Sequence, residues 1–210
     1  MQPEQYIPQQ FAAVKDSDEK IIWSGKPLFL PFILSGVPFL IIGLIWGSFD
    51  LFFILQIGKA KAGASAPPLF FIIPFFLLHL FPFWASILNM IRLFLVHQNT
   101  CYAITNKRLM MRSGFWGIDF KAIDYDKISD IEVTVNPIEN MLGVGTIRAF
   151  SGRTTSKGTH LYDSFIAIEK PYEVFKKIKE VSVDIKTDWN YPNAIRPDIN
   201  PGYKTEYKKD

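Results

Sequence analysis

The sequence predicts a membrane protein with two transmembrane α-helices followed by an α+β domain, in which a bent antiparallel sheet is capped by a C-terminal helix. Two long runs without Asp, Glu, Lys or Arg, 28–49 and 69–91, lie in the first half of the chain. Short segments of alternating polarity fill the second half, and one amphipathic stripe follows them. Uncharged runs of this length are typical of membrane helices, and alternation is typical of half-buried strands.

Each uncharged run is long enough to cross a bilayer. A helix rises about 1.5 Å per residue, and the hydrocarbon core is about 30 Å thick. A cleaved signal peptide is a poorer alternative for the first run, because mostly polar residues precede it and a signal peptide's apolar region is shorter. Burial of both runs in a soluble domain is also disfavoured, because the rest of the chain is too small to enclose them. We expect a transmembrane hairpin over residues 28–96 with a connector over 50–68, whose first part extends helix one.

Basic residues near the ends of the hairpin predict its orientation. They are more numerous outside the connector, which holds only Lys59 and Lys61, and cytoplasmic flanks carry the excess of lysine and arginine. The single cysteine, Cys101, cannot form an internal disulfide, in agreement with a reducing compartment. We therefore expect a multi-pass protein of the inner or plasma membrane, with both termini, including segment 1–27, in the cytoplasm.

Residues 97–187 are expected to form the cytoplasmic domain. Segments such as "CYAIT", "RLMMRS", "IDFKAID" and "ISDIEVTV" are β-prone and separated by turn-forming residues, which predicts an antiparallel meander of six strands. In "PYEVFKKIKEVSVDIK" an apolar stripe at helical spacing, Val174, Ile178, Val181 and Ile185, predicts one amphipathic helix. Residues 188–210 have no periodicity, and we expect a disordered tail.

Several motifs resemble those of one family. They are "EKIIWSGKP" before the first span, then "NTCYAITNKRLMMRSG", "IDYDKISDIEV" and "NMLGVGTIRAFS" after the second. Together they resemble the bacterial membrane-flanked pleckstrin-homology-like family, the bacterial PH domain of type 2, formerly a domain of unknown function. The resemblance implies a bent antiparallel sheet of about seven strands closed by a C-terminal helix. Ile21 to Ser24 would then supply or extend a strand from the N-terminal side.

No arrangement of residues predicts an enzyme, a metal site or a cofactor. The three histidines and the lone cysteine lack zinc-ligand spacing, and the acidic string "DYDKISDIE" lacks the glycine of a calcium loop. "GVG" reads as a tight turn, and His160, Asp163 and Ser164 lie on one strand whose neighbours face opposite ways. His79, inside the second span, is expected to be a neutral imidazole bonded to a neighbouring helix, with a functional role as the alternative.

Two non-catalytic functions stay open. One is a module that assembles with itself or with a partner membrane protein, which family analogy links to envelope stress or membrane homeostasis; an open edge of "TIRAFS" would serve such pairing. The alternative is a lipid-headgroup sensor that uses Lys107 and Arg108 in the first hairpin after the spans. The net positive charge of the domain is small for a surface that binds anionic lipids, which usually gathers several basic residues, so we favour assembly. A channel would need oligomers, since two helices enclose no pathway. The bilayer is an expected partner and nucleic acid is not.

The turn "SGFWG" carries two aromatic residues, Phe115 and Trp116, between glycines. Turns are normally polar, whereas aromatic rings favour the membrane–water interface. If the strand predicted for "RLMMRS" runs back to the bilayer and reaches it near Ser113, both rings lie at headgroup depth. We expect an interfacial foot there; the alternative is that the rings pack back on the sheet.

Overall fold

The structure, a computed structural model, describes residues 9–59, 68–154, 156 and 158–190. It divides into two units. One unit contains the residues up to Pro31 and those from Asn99 onwards, and the other is Phe32–Gln98. The described part of segment 1–27, expected as a separate region, therefore shares a unit with the domain, and the hydrophobic segment is an insertion in that unit.

Seven described strands form two antiparallel sheets. The first has the order β1 (Ile21–Gly25), β2 (Cys101–Thr105), β3 (Arg108–Ser113) and β4 (Asp119–Asp124). The second has the order β5 (Asp130–Thr134), β6 (Val144–Thr154) and β7 (His160–Glu169). β1 pairs with β2, with Ser24 opposite Ala103 and Gly25 opposite Tyr102, so the strand expected around Ile21 to Ser24 is confirmed.

The core lies between the sheets and a C-terminal helix, α7 (Pro171–Asn190). Its stripe is buried as predicted, with Val174, Ile178, Val181 and Ile185 in the main apolar cluster. Ile104, Leu109, Ile147 and Phe165 from the strands pack in the same cluster. Alternating strands and the helix stripe thus meet in one core, as an α+β domain of this kind requires.

The outer face of the first sheet is covered by a short helix that the sequence analysis missed, α1 (Gln9–Ala12). Phe11 is fully buried there with Cys101, Ala103 and Met110. Burial raises the pKa of the Cys101 thiol, although Arg112 lies close enough to oppose this. β2 is consequently buried on both faces, which explains why "CYAIT" reads as nearly continuous apolar sequence.

Two local predictions about the domain differ from the structure. "TIRAFS" lies in β6, the central strand of its sheet, so both of its edges are paired and the predicted open edge is wrong. α7 extends through Asp188 to Asn190, past the predicted start of the tail. The rest of the predicted tail, 191–210, lies outside the described residues. α6 (Pro137–Met141), capped by Asn136, joins β5 to β6.

The hydrophobic segment contains four helices in its described part. α2 (Phe29–Leu34) leads into α3 (Val37–Lys59), which runs into the predicted connector; α4 (Leu69–His79) and α5 (Phe81–Asn99) are separated by Leu80. Among the described helices, α3 is the one long and apolar enough to cross a membrane by itself, and α4 and α5 meet the same test only together, with a bend of 44° between them. Two membrane-spanning helices are therefore not confirmed. Pro82 explains the break, because proline lacks the N–H that a continuous helix needs.

α3 and α5 pack closely along a seam of small residues. A Cβ on Gly43 would overlap the side chain of Ser86, and one on Gly47 would lie 2.8 Å from the ring of Phe83. Gly36 faces Leu93 and Met90 one step further along the seam. Small residues let helix backbones approach in this way, which is the usual packing of membrane helices.

Candidate functional site

The predicted lipid-contact residues lie in the turn between β2 and β3, where an acidic segment of the N-terminus binds them. The ammonium of Lys107 lies 2.7 Å from the carboxylate of Asp18 and 3.5 Å from that of Asp16. The guanidinium of Arg108 donates to Glu19 at 2.9 Å, and Glu19 is buried. Both basic residues are thus neutralised within the chain. We call Asp16, Asp18 and Glu19 the acidic clamp.

Glu19 is the centre of the acidic clamp because both of its oxygens are saturated. Oε1 accepts from the hydroxyl of Thr105 at 2.6 Å and from Nε of Arg108 at 3.1 Å. Oε2 accepts from Nη2 of Arg108 at 2.9 Å and from the backbone N–H of Asp16 at 3.0 Å. A buried carboxylate with four donors is well satisfied, so the clamp holds the N-terminal segment against the sheet.

Contact between the acidic clamp and the basic turn shifts the pKa values of Asp18, Glu19, Lys107 and Arg108 in the directions expected for paired charges. Burial opposes ionisation of Glu19, but hydrogen bonds from Arg108 and Thr105 outweigh it and lower its pKa. The hydrogen bond between Lys107 and Asp18 lowers the pKa of Asp18 and raises that of Lys107. The hydrogen bond to Glu19 raises the pKa of Arg108. These groups are therefore charged and paired at neutral pH.

The turn "GFWG" at 114–117, which we call the aromatic turn, joins β3 to β4 and projects from the sheet. Trp116 is 93% exposed and Phe115 is 42% exposed, with their ring centroids 5.7 Å apart. Gly114 has a φ of 150°, and a Cβ there would overlap the carbonyl of Gly117, so the turn requires glycine. Asn99, the last residue of α5, donates from its side chain to the carbonyl of Gly114 at 3.0 Å.

Two ionisable side chains, those of His79 and Asp50, form a pair in the hydrophobic unit. The sequence predicted a bonded His79 but not its partner. Nδ1 of His79, at the end of α4, lies 2.8 Å from Oδ1 of Asp50 on α3. The indole N–H of Trp46 donates to the carbonyl of His79 at 2.8 Å, beside the break at Leu80. His79 was expected to bond a neighbouring helix. The sequence did not indicate Asp50 as its partner, because Asp50 lies just past the uncharged run and 29 residues before His79.

The other motifs considered for chemistry are accounted for by local structure. Asp163 is buried and pairs with Arg153 and Lys121, so it serves an ion cluster on the sheets. Asp124 pairs with Lys127 at 2.9 Å. Gly145 of "GVG" lies in β6 opposite Ile168, after a turn at Gly143. Among the described residues no three His, Cys, Asp or Glu side chains are close enough to hold a metal ion.

Comparison with known proteins gives a family. A search of the curated proteins finds no match. One similar solved structure is a DUF1696 family protein with a pleckstrin-homology domain from Shewanella loihica PV-4; it is 9% identical, the match covers 83% of this chain and 91% of that one, and the TM-score is 0.38. Residues 29–182 match the family described as the bacterial PH domain, which is well over half of the chain and confirms the resemblance drawn from the sequence motifs. The chain belongs to the bacterial PH domain family.

Proposed function

We propose that the protein is a non-catalytic PH-like module anchored by two membrane crossings, which assembles with itself or with a partner membrane protein. The observation that carries the anchor is the pairing of β1 with β2. These strands precede and follow the hydrophobic unit, so both ends of that unit return to one folded sheet. Both ends therefore lie on the same side of any membrane that the unit enters.

Because both ends of the hydrophobic unit lie on one side, the chain must cross the membrane an even number of times. Of the helices in the described ranges, α3 is the one long and apolar enough to cross by itself. A chain that crosses on α3 must cross back before β2, and the described segment that offers this is the bent pair of α4 and α5. The bend is compatible with a span, because broken membrane helices are tolerated where neighbouring groups satisfy the freed backbone. Trp46, which donates to the carbonyl of His79, is such a group.

The acidic clamp favours assembly over headgroup sensing. Lys107 and Arg108 would have to release Asp18 and Glu19 before they could bind a lipid phosphate. Arg108 in particular would leave a buried carboxylate without its main donor, which is costly. The basic hairpin is thus better explained as the attachment point of the N-terminal segment. A role in envelope stress or membrane homeostasis follows from family analogy alone.

The aromatic turn completes the proposal as a contact with the bilayer surface. Its rings are exposed, and its backbone is bonded to Asn99, where the helix from the hydrophobic unit ends. Phe115 and Trp116 thus project from a turn that is hydrogen-bonded to the last residue of α5. We propose that they enter the interfacial zone, where aromatic rings are favoured, and fix the tilt of the domain.

Co-purification of two tagged copies tests the assembly. Full-length protein carrying one of two affinity tags is co-expressed, extracted in mild detergent and purified on the first tag; the eluate is probed for the second tag and for other membrane proteins. We expect a stable second copy or one recurrent membrane partner in the eluate. A protein that is absent from the membrane fraction, or that elutes with the mass of one chain and no companion, contradicts the proposal.

A further inference from the structure

The pair of Asp50 and His79 leaves hydrogen-bonding capacity unused inside the hydrophobic unit. Asp50 is 2% exposed, and its second oxygen, Oδ2, has no hydrogen-bond partner among the described residues. The His79 side chain is 42% exposed, and no described residue bonds its other ring nitrogen, Nε2. In hydrocarbon such groups are expensive unless a partner satisfies them. Each chain therefore presents one unpartnered acceptor and one unpartnered ring nitrogen.

Both groups belong to one apolar groove on the flank of the α3–α5 seam. The groove has a volume of about 430 Å³ and is lined by Ile42, Ile45, Trp46, Phe49 and Phe53 together with the pair. The opposite flank of the seam is lined by Leu44, Ser48 and Leu51 among others, and it contains no ionisable side chain among its described lining residues. Only the first flank thus combines a large apolar surface with polar groups that need a partner.

We propose that this groove is the interface with a second copy of the chain, in which each His79 hydrogen-bonds to the Asp50 of the other copy. The inference rests on the proposed function and names the partner that the function leaves open. His79 keeps the 2.8 Å contact between its Nδ1 and its own Asp50, and its Nε2–H donates to Oδ2 of the other copy's Asp50. The exchange is reciprocal, as a two-fold interface requires.

A second copy fits this surface better than an unrelated helix for two reasons. It carries the complementary acceptor and donor together, so one contact satisfies both unpartnered groups of each chain. A two-fold axis along the membrane normal also keeps both pairs at the same depth, because each Asp50 already lies level with its own His79. Oδ2 is buried in the single chain, so a second copy can reach it only if side chains that line the groove move aside.

Cysteine crosslinking in native membranes tests the interface directly. Phe49→Cys places a thiol on the groove and Leu51→Cys places one on the opposite flank, at positions that are 63% and 56% exposed. The native Cys101 is buried and is retained in both variants. On mild oxidation we expect a covalent dimer from Phe49→Cys, in about tenfold excess over Leu51→Cys. Equal yields, or none from Phe49→Cys, contradict the proposed interface.

Removing the pair tests its contribution. In the Phe49→Cys protein, His79→Phe keeps an aromatic ring but removes both nitrogens, and we expect the dimer yield to fall about tenfold. Ser48→Ala, whose hydroxyl bonds its own helix backbone, is the control and should leave the yield unchanged. If the two tagged copies co-purify but His79→Phe leaves the crosslinking yield unchanged, this inference is wrong while the proposed function stands. If the copies never co-purify and another membrane protein is captured, this inference is also wrong, and the proposed function stands with that other protein as the partner.

Discussion

At the scale of single residues, Glu19 determines what the basic hairpin can do. Lys107 and Arg108 look like free charges in the sequence, and the acidic residues that bind them lie almost ninety positions earlier. Charge counting finds both groups but not their pairing, because nothing local relates residues on either side of an inserted hairpin. The "DSDE" run beside a predicted strand was the available clue.

Neutralising Glu19 should loosen the attachment of the N-terminal segment. Glu19→Gln removes the charge that pairs with Arg108, and we expect the free energy of unfolding to fall by about 2 kcal/mol, typical of a lost hydrogen bond to a charged group. Asp18→Asn is the matched control: its carboxylate is exposed, so its loss should cost little. Chemical denaturation of the full-length protein in detergent measures both. Equal losses in the two variants would show that burial of Glu19 does not matter.

Acid should release the same contact. The pKa of Glu19 is lowered in the folded protein, so its contribution is complete above the ordinary value of 4.5 and is lost as the pH falls through the lowered pKa. We expect the difference in stability between wild type and Glu19→Gln to be largest at neutral pH and to shrink as the pH falls below 4.5. Denaturation across that range measures it, and a difference that grows in acid contradicts the assignment.

At the scale of elements, sequence periodicity predicted which segments form strands and helices but not the order of the strands in the sheets. Alternation predicted the strands and the stripe on α7 predicted the capping helix, because each pattern reflects which face is buried. Strand order was not readable, so "TIRAFS" was expected at an edge although it is central. The Gly36, Gly43 and Gly47 seam was missed because glycine carries no hydropathy signal of its own.

The seam predicts a contrast between two glycines of α3. Gly43→Ala adds a methyl group that overlaps Ser86, whereas Gly58→Ala places it in open space. We expect Gly43→Ala to lower stability by about 1–3 kcal/mol through overpacking and Gly58→Ala to be neutral or slightly stabilising. Unfolding of the full-length protein by a denaturing detergent, followed by circular dichroism, compares them. A Gly43→Ala protein as stable as wild type would mean that the helices do not pack closely at this point.

The aromatic turn predicts a depth in the bilayer. A nitroxide attached to full-length protein with Trp116→Cys, reconstituted in lipid nanodiscs, should be relaxed by oxygen more than by a water-soluble nickel complex, as at the interface. The same label on Met141→Cys, a similarly exposed apolar site on α6, should show the opposite preference. Two labels with the same aqueous accessibility would leave the rings as a surface feature without contact to the membrane.

At the scale of the whole molecule, the main result is that the hydrophobic unit interrupts the PH-like domain. The motifs identified the family, and the β-prone "IIWSG" suggested a strand, but a linear reading still placed a boundary at residue 27. Pairing of β1 with β2 unites the segments before and after the hairpin. The domain is therefore discontinuous in sequence, and its functional tests use the full chain.

Accessibility of the connector to reagents on the outer side tests the central claim, that the chain crosses the membrane twice and returns to the side of the domain. Ser65→Cys lies in the connector and Lys127→Cys lies on the domain, where the lysine side chain is 64% exposed. In right-side-out vesicles, a membrane-impermeant thiol reagent should label Ser65→Cys at once and Lys127→Cys only after permeabilisation. Labelling of both cysteines from the same side would contradict two crossings and remove the basis for the proposed anchor.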